Sequence, residues 1–241
     1  MKYDPKLRKR TRHTKAYNNN TFLNSREARS IRVQCEMIEP GVRLEQLGIE
    51  HMITFFGSAR LQPDHPDYIA AYNIAHKLGD RADKNVGISS GGGPGIMEAT
   101  NRGALDSGAK SIGMGISLPF EQHNNQYIST ELDFEFHYFF TRKYWCVYLS
   151  KAFVIMPGGV GTMDELFEIL TLIQTRKMPG KPIVLYNSEF WNSVVNFDVM
   201  IEHGTISHKD TNLFHITDSV DDVCDYIWNN IDLTPGAIST R

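Results

Sequence analysis

The sequence predicts an α/β fold, a doubly wound parallel sheet with helices on both faces. Three observations predict it. Five short apolar runs are continuous rather than alternating, as strands buried on both faces are. Helix-length segments separate them, giving a repeated strand–turn–helix order. The chain of 241 residues, 41 % hydrophobic and 22 % charged, has the composition of an ordinary globular protein and the length of one large domain, or of one domain plus an arm.

The elements follow in chain order. Residues 1–15 hold Lys2, Lys6, Arg8, Lys9, Arg10, Arg12 and Lys15 against Asp4 alone, although the whole chain carries a net charge of −3. This arm reads as a solvated, disordered tail, because blocks of like charge repel. No aromatic interleaving supports a nucleic-acid role for it. Residues 21–47 read as helical, with a break expected at Pro40-Gly41. The division expected is an N-terminal arm and helical extension over 1–47 and an α/β domain over 48–241.

The strand runs are Met52–Phe56, Val86–Ser90, Ser111–Ile116, Ala152–Met156 and Pro182–Tyr186. The first runs into Gly57-Ser58, the second into Gly91-Gly92-Gly93-Pro94-Gly95 and the fourth into Pro157-Gly158-Gly159. Helices are expected over 66–82, 95–108, 139–150, 161–176, 188–203 and 218–230. In such sheets ligands bind at the carboxyl ends of the strands, where these turns fall.

Several classes of protein are not expected. No run of about 18 apolar residues predicts a membrane-spanning helix. No apolar stretch follows the basic start, so no secretory signal is expected. Cys35, Cys146 and Cys224 are odd in number and far apart, and neither C-x-x-C nor H-E-x-x-H occurs. Neither a disulfide scaffold nor a metal site of the usual spacings is expected, and the default is a reduced, cytoplasmic protein.

Two of the glycine turns suit a phosphate. Glycine lets backbone approach an anion, and a helix N-terminus offers unpaired N–H groups. Neither is a dinucleotide fingerprint: G-x-G-x-x-G read from Gly91 meets Ile96, and read from Gly159 meets Asp164. The Lys-containing nucleotide loop is absent as well. Each turn is followed closely by a carboxylate, Glu98 or Glu165. Thr162-x-x-Glu165 also has the spacing of a capping box, in which Glu165 would only satisfy helix N–H groups. Position alone does not separate that role from one at an anion site. On the helix expected over 139–150, Phe140, Tyr144, Val147 and Tyr148 share one face and Arg142 points away from it. Arg142 is then either a solvated arginine or one that lines a cleft or meets a partner subunit.

With these residues placed, a family resemblance is legible. Pro157-Gly158-Gly159-Val160-Gly161-Thr162-Met163-Asp164-Glu165 fits P-G-G-x-G-T-x-x-E, and Arg142-Lys143 precedes it. Over about residues 50–205 the chain resembles the Lonely Guy (LOG) family of nucleoside 5′-monophosphate phosphoribohydrolases, often mislabelled as lysine decarboxylases. Phe55-Phe56-Gly57-Ser58-Ala59-Arg60 and the turn Ser90–Ala99 continue the match. The latter turn is similar to the longer bacterial branch rather than to the short plant-type members.

The resemblance implies a Rossmann-like fold and hydrolysis of the N-glycosidic bond of AMP, or of a related purine or cytokinin nucleoside 5′-monophosphate. Free base and ribose 5-phosphate would result. By the family motifs Arg142 and Glu165 form the catalytic pair. Gly57, Ser58, Glu121, Lys143 and Thr171 would contact the substrate. So would the loop of Gly158, Gly159, Val160, Gly161, Thr162, Met163 and Asp164. No cofactor and no metal are implied, and the family builds its site at a homodimer interface. The chemistry suits the residues: breaking the C1′–N bond builds positive charge on the ribose, which a nearby carboxylate stabilises. Two rivals stand beside this reading. One is a carrier of the same fold that binds a nucleotide or cofactor without turnover. The other is a lysine decarboxylase, for which Ser207-His208-Lys209 is only a three-residue echo.

Overall fold

A computed structural model of the chain describes residues 15–118 and 124–234. The basic arm, Lys15 excepted, and Glu121 lie outside the described residues.

Seven strands form one all-parallel sheet. They are β1 (His51–Phe56), β2 (Val86–Ser90), β3 (Lys110–Ile116), β4 (Asp133–Phe136), β5 (Ser150–Ile155), β6 (Ile183–Tyr186) and β7 (His215–Thr217). Their order is β4-β3-β2-β1-β5-β6-β7, so β1 pairs with both β2 and β5. The chain winds outwards from β1 in one direction and then, through β5, in the other. The point of reversal lies between β1 and β5, where open α/β sheets place their ligand crevice.

All six residues of β1 are buried, which explains why His51-Met52-Ile53-Thr54-Phe55-Phe56 shows no alternation. On one face α3 (Pro66–Asp80), α4 (Ile96–Asp106) and α9 (Val220–Asn230) bury Ile74, Ala99 and Val223 against Ile53 and Phe55. On the other, α5 (Phe139–Tyr148) and α6 (Val160–Gln174) bury Trp145 and Leu166 against Met52 and Phe56. The expected fold class and its five central strands are therefore present.

Both edge strands escape the sequence pattern. In β4 the residues Asp133 and Glu135 are exposed while Phe134 and Phe136 are buried, an alternation too short to stand out. β7 has three residues, none fully buried. The helix expected over 188–203 is two helices, α7 (Ser188–Val194) and α8 (Phe197–Glu202). Asn196 separates them; its side chain accepts a hydrogen bond from the Val199 N–H and starts the second.

The expected break at Pro40-Gly41 does not occur. After a single turn, α1 (Asn20–Leu23), the helix α2 runs unbroken from Arg29 to Gln46 with Pro40 inside it. Proline removes the N–H that would bind the carbonyl of Glu36, four residues earlier. The indole N–H of Trp145, on α5, donates to that carbonyl at 2.8 Å instead. Gly41 makes the approach possible: a Cβ there would sit 2.6 Å from the Trp145 ring. A proline–glycine pair that ordinarily ends a helix here receives a tertiary donor.

Trp145→Phe should therefore lower stability by about 1–2 kcal/mol, the cost of a part-buried carbonyl left without a protein partner. In a Pro40→Ala background, where residue 40 regains its N–H, the same substitution should cost measurably less. Urea unfolding of the four proteins tests this; equal losses in both backgrounds would refute the compensation.

Candidate active site

The site is built where β1 and β5 end. The Met156 N–H donates to the Phe56 carbonyl (2.8 Å), and the Ser58 N–H to the Pro157 carbonyl (3.0 Å). The Ile96 N–H, at the start of α4, donates to the Ser58 carbonyl (2.9 Å). These bonds lace the turns after β1 and β5 and the start of α4 into one rim. Gly95 has φ +68° and presses against the Ser58 carbonyl, a place no side chain fits.

A cleft of about 890 Å³ opens at this rim. Gly57, Ser58, Gly159, Val160, Gly161, Thr162, Arg142 and Glu165 all line it. Gly158 lies just behind, where its missing side chain makes room for Thr162. α6 begins at Val160 with Gly159 as its N-cap, and no side chain caps it. Its first N–H groups and the positive end of its dipole therefore sit in the cleft wall.

That geometry removes the capping-box reading of Glu165. Thr162 falls inside the first turn of α6 rather than at its N-cap, so it accepts no capping bond. Glu165 lies one turn into α6 and is only 13 % exposed at its side chain. Its Oε1 is 3.3 Å from an Arg142 terminal nitrogen. Burial pushes the Glu165 carboxyl up to about 7, with Arg142 working against the rise.

Arg142 points away from the aromatic stripe of α5, as expected, and lines the cleft, but the stripe is not the core face. Thr141, Arg142, Trp145 and Cys146 form the buried face of α5, while Phe140, Tyr144 and Tyr148 are exposed. The aromatic stripe looks like a core face by composition, but the sheet is met by the other side of the helix. Arg142 is buried because polar partners await it: its Nε donates to the Met114 carbonyl in the second half of β3 (2.8 Å). Gly91 gives it room, since a Cβ there would lie 2.6 Å from the guanidinium.

The remaining predicted residues lie elsewhere. Lys143 pairs with Asp164 (2.9 Å) and Glu168 (2.6 Å) on the outer side of α6. Burial works against its charge, but the two carboxylates prevail and hold its pKa above the usual value. Lys143, Met163, Asp164 and Thr171 line a separate shallow groove, which Val160 shares with the cleft. The Thr171 hydroxyl is spent on the Phe167 carbonyl of its own helix (2.6 Å). One chain thus brings together Arg142, Glu165 and the glycine turns, and sets the Lys143 group beside them.

Sequence reasoning missed Arg60, Asn124, Asp133, Glu135 and Phe139, all on the cleft wall. Arg60 carried a signal, a lone cation directly after a strand turn. Asp133 and Glu135 had none, because their strand was not legible. Nucleophilic thiols are absent from the cleft wall. Burial raises Cys146 to about 12 and Cys224 to about 11, so neither supplies a thiolate near neutral pH. Lys209, of the decarboxylase echo, lies on a surface turn over His208–Leu213, away from the cleft. Among the described residues no cluster of His, Cys, Asp and Glu could hold a metal ion, and no helix is long and apolar enough to cross a membrane.

Fold and cleft together define an α/β protein with a strand-end cleft, walled by an uncapped helix start and a buried Arg–Glu pair. Residues 97–227 match the family described as "Possible lysine decarboxylase", and the chain belongs to that family, the LOG family. It is 28 % identical over 190 residues to the probable cytokinin riboside 5′-monophosphate phosphoribohydrolase LOG4 of Oryza sativa subsp. japonica, covering 76 % of this chain and 79 % of that protein. It is 32 % identical over 124 residues to the cytokinin riboside 5′-monophosphate phosphoribohydrolase of Rhodococcoides fascians, covering 49 % of this chain and 59 % of that one. The molybdenum cofactor binding protein from Rippkaea orientalis shares the fold, with TM-score 0.54 at 18 % identity over 75 % of this chain and 96 % of that one.

The raised Glu165 pKa has a consequence for stability. As pH rises, the unfolded chain releases this proton near 4.5 and the folded chain only near 7. The group therefore stabilises the fold at low pH, and that contribution is lost as pH rises through 7. Glu165→Gln, neutral throughout, should gain Tm relative to the wild type between pH 5 and pH 8. A Tm difference that stays constant across that window would show that Glu165 is not held protonated by the fold.

Proposed function

We propose that the protein hydrolyses the N-glycosidic bond of purine nucleoside 5′-monophosphates, AMP first among them, releasing free base and ribose 5-phosphate. The observation that carries this is the buried Arg142–Glu165 contact in the same cleft wall as the uncapped start of α6. The names of the Oryza and Rhodococcoides relatives support the reaction class. The glycine turn at 158–162 receives the 5′-phosphate on the α6 N–H groups. Glu165, a turn further along, faces the ribose and stabilises the positive charge that develops as the C1′–N bond breaks. It also orients the attacking water. Arg142 holds the Glu165 carboxylate in place and offsets negative charge gathering on the departing base.

A carrier that binds the nucleotide without turnover is the second reading, prompted by the shared fold of the molybdenum cofactor binding protein. Such a carrier has no need of a buried acid–base pair. Incubation with AMP and adenosine separates the readings: adenine should be released from AMP and only slowly from adenosine, because phosphate binding energy helps orient the sugar. Equal turnover of the two would exclude the phosphate anchor, and binding of AMP without release of adenine would favour the carrier.

Ionised Glu165 is the working form, so kcat/KM should rise with pH through about 7, where this group titrates. Glu165→Gln should lose at least about 100-fold in kcat with its fold intact. Activity within a few-fold of wild type would reduce Glu165 to a structural residue.

The working unit in this reading is a homodimer. Phe139, Phe140, Tyr144 and Tyr148 are exposed along α5, beside the groove that holds Lys143, Met163, Asp164 and Thr171. An isologous pair covers such a face and closes the cleft from outside. Light scattering should give twice the chain mass, and Tyr144→Asp should yield an inactive monomer. Arg142 and Glu165 meet within one chain, so mixing Arg142→Ala with Glu165→Gln subunits should restore no activity. Recovery on mixing would place the two residues in different chains' sites, and a fully active monomer would dismiss the dimer.

A further inference from the structure

We infer that α2 sets the position of Arg142, with Glu36 as the positioning residue. The inference rests on the hydrolytic reading above for its kinetic consequence and on contacts within the chain for its geometry.

α5 lacks the means to start itself. Its N-cap, Tyr138, makes no side-chain capping bond, and no acidic residue lies in its first turn. In a capping box a Glu at the third helical position reaches back to the N-cap N–H; α5 has Thr141 there. Glu36, reaching across from α2, supplies the carboxylate. Its Oε1 accepts from the His137 N–H (2.9 Å), and its Oε2 accepts from the Tyr138 N–H (3.3 Å) and the Thr141 hydroxyl (2.6 Å). A negative group at this end also suits the helix dipole. Arg142 is the next residue, and its own N–H closes the first helical bond to the Tyr138 carbonyl (3.2 Å).

The same helix grips the neighbouring wall. Arg43 donates to the Asp133 carbonyl (2.9 Å) and lies over the Phe134 ring at 4.2 Å. Trp145, one turn beyond Arg142, is bound to the Glu36 carbonyl. Glu36 thus holds α5 twice, by its side chain at the start and by its backbone one turn past Thr141. Between those two points stands the guanidinium, which must lie within reach of both the Met114 carbonyl and Glu165. Without Glu36 the His137 and Tyr138 N–H groups lose their acceptor, the first turn of α5 frays, and Arg142 is the first working group to move.

Glu36→Ala and Glu36→Gln test this, with Glu39→Gln as control on the same helix, where Glu39 pairs with Arg43. All are assayed with AMP well below their Tm. Glu36→Ala should lose at least tenfold in kcat with KM within threefold, since the phosphate turn is untouched. Glu36→Gln, whose amide oxygen still accepts, should return to within threefold of wild type, and Glu39→Gln should match wild type. Amide exchange across 137–142 should quicken at least tenfold in Glu36→Ala alone. A lowered Tm with unchanged kcat would make Glu36 a stabiliser only and overturn the inference, as would unchanged exchange. A wild-type protein that releases no adenine from AMP fails the hydrolytic reading instead, and the exchange result still decides whether Glu36 holds the helix.

Discussion

A guanidinium and a carboxylate share a nearly dry space at the point where the sheet reverses direction, and much of the surrounding structure exists to hold them there. A buried ion pair loses the hydration of both groups and persists only when further hydrogen bonds and tight geometry compensate. Arg142 finds the Met114 carbonyl on one side and the opening left by Gly91 on the other. Glu165 is carried by a helix whose entry turn is laced to two strand ends. The pair remains under-compensated, because burial outweighs Arg142 in setting the Glu165 proton affinity. A carboxyl in that condition exchanges its proton near neutrality, the range a general acid or base needs.

The central sheet was legible because its strands are buried on both faces and punctuated by glycine and proline turns. The edge strands were not: pairing on one side leaves β4 and β7 short and half-polar, and register with a neighbour is not a local property. The break expected at Pro40-Gly41 failed for a similar reason. Local rules count a lost N–H, and the replacement donor, Trp145, lies more than a hundred residues further on.

In the site, Arg142 and Glu165 were legible through the motifs that contain them, yet their setting was left open by the sequence. Periodicity locates an apolar stripe, but not which side of α5 meets the sheet; Phe140, Tyr144 and Tyr148 face outwards while an arginine is buried. Thr162 and Glu165 have the spacing of a capping box, but α6 starts at Val160, before Thr162, and spacing does not fix where a helix begins. The separation of Lys143 from Arg142 follows from adjacency on a helix, where neighbouring residues point about 100° apart.

The exchange of a backbone donor for an indole has a meaning on the scale of lineages. Pro40, Gly41 and Trp145 are individually poor choices: a helix breaker, a flexible residue and a bulky aromatic in a tight seam. Together they form a lock with one key. A descendant that loses Trp145 leaves the Glu36 carbonyl stranded, one that replaces Gly41 obstructs the ring, and one that regains an N–H at position 40 removes the need for the indole donor. The three positions should therefore be inherited or discarded as a set, tying the history of the N-terminal helix to that of the helix that carries the arginine.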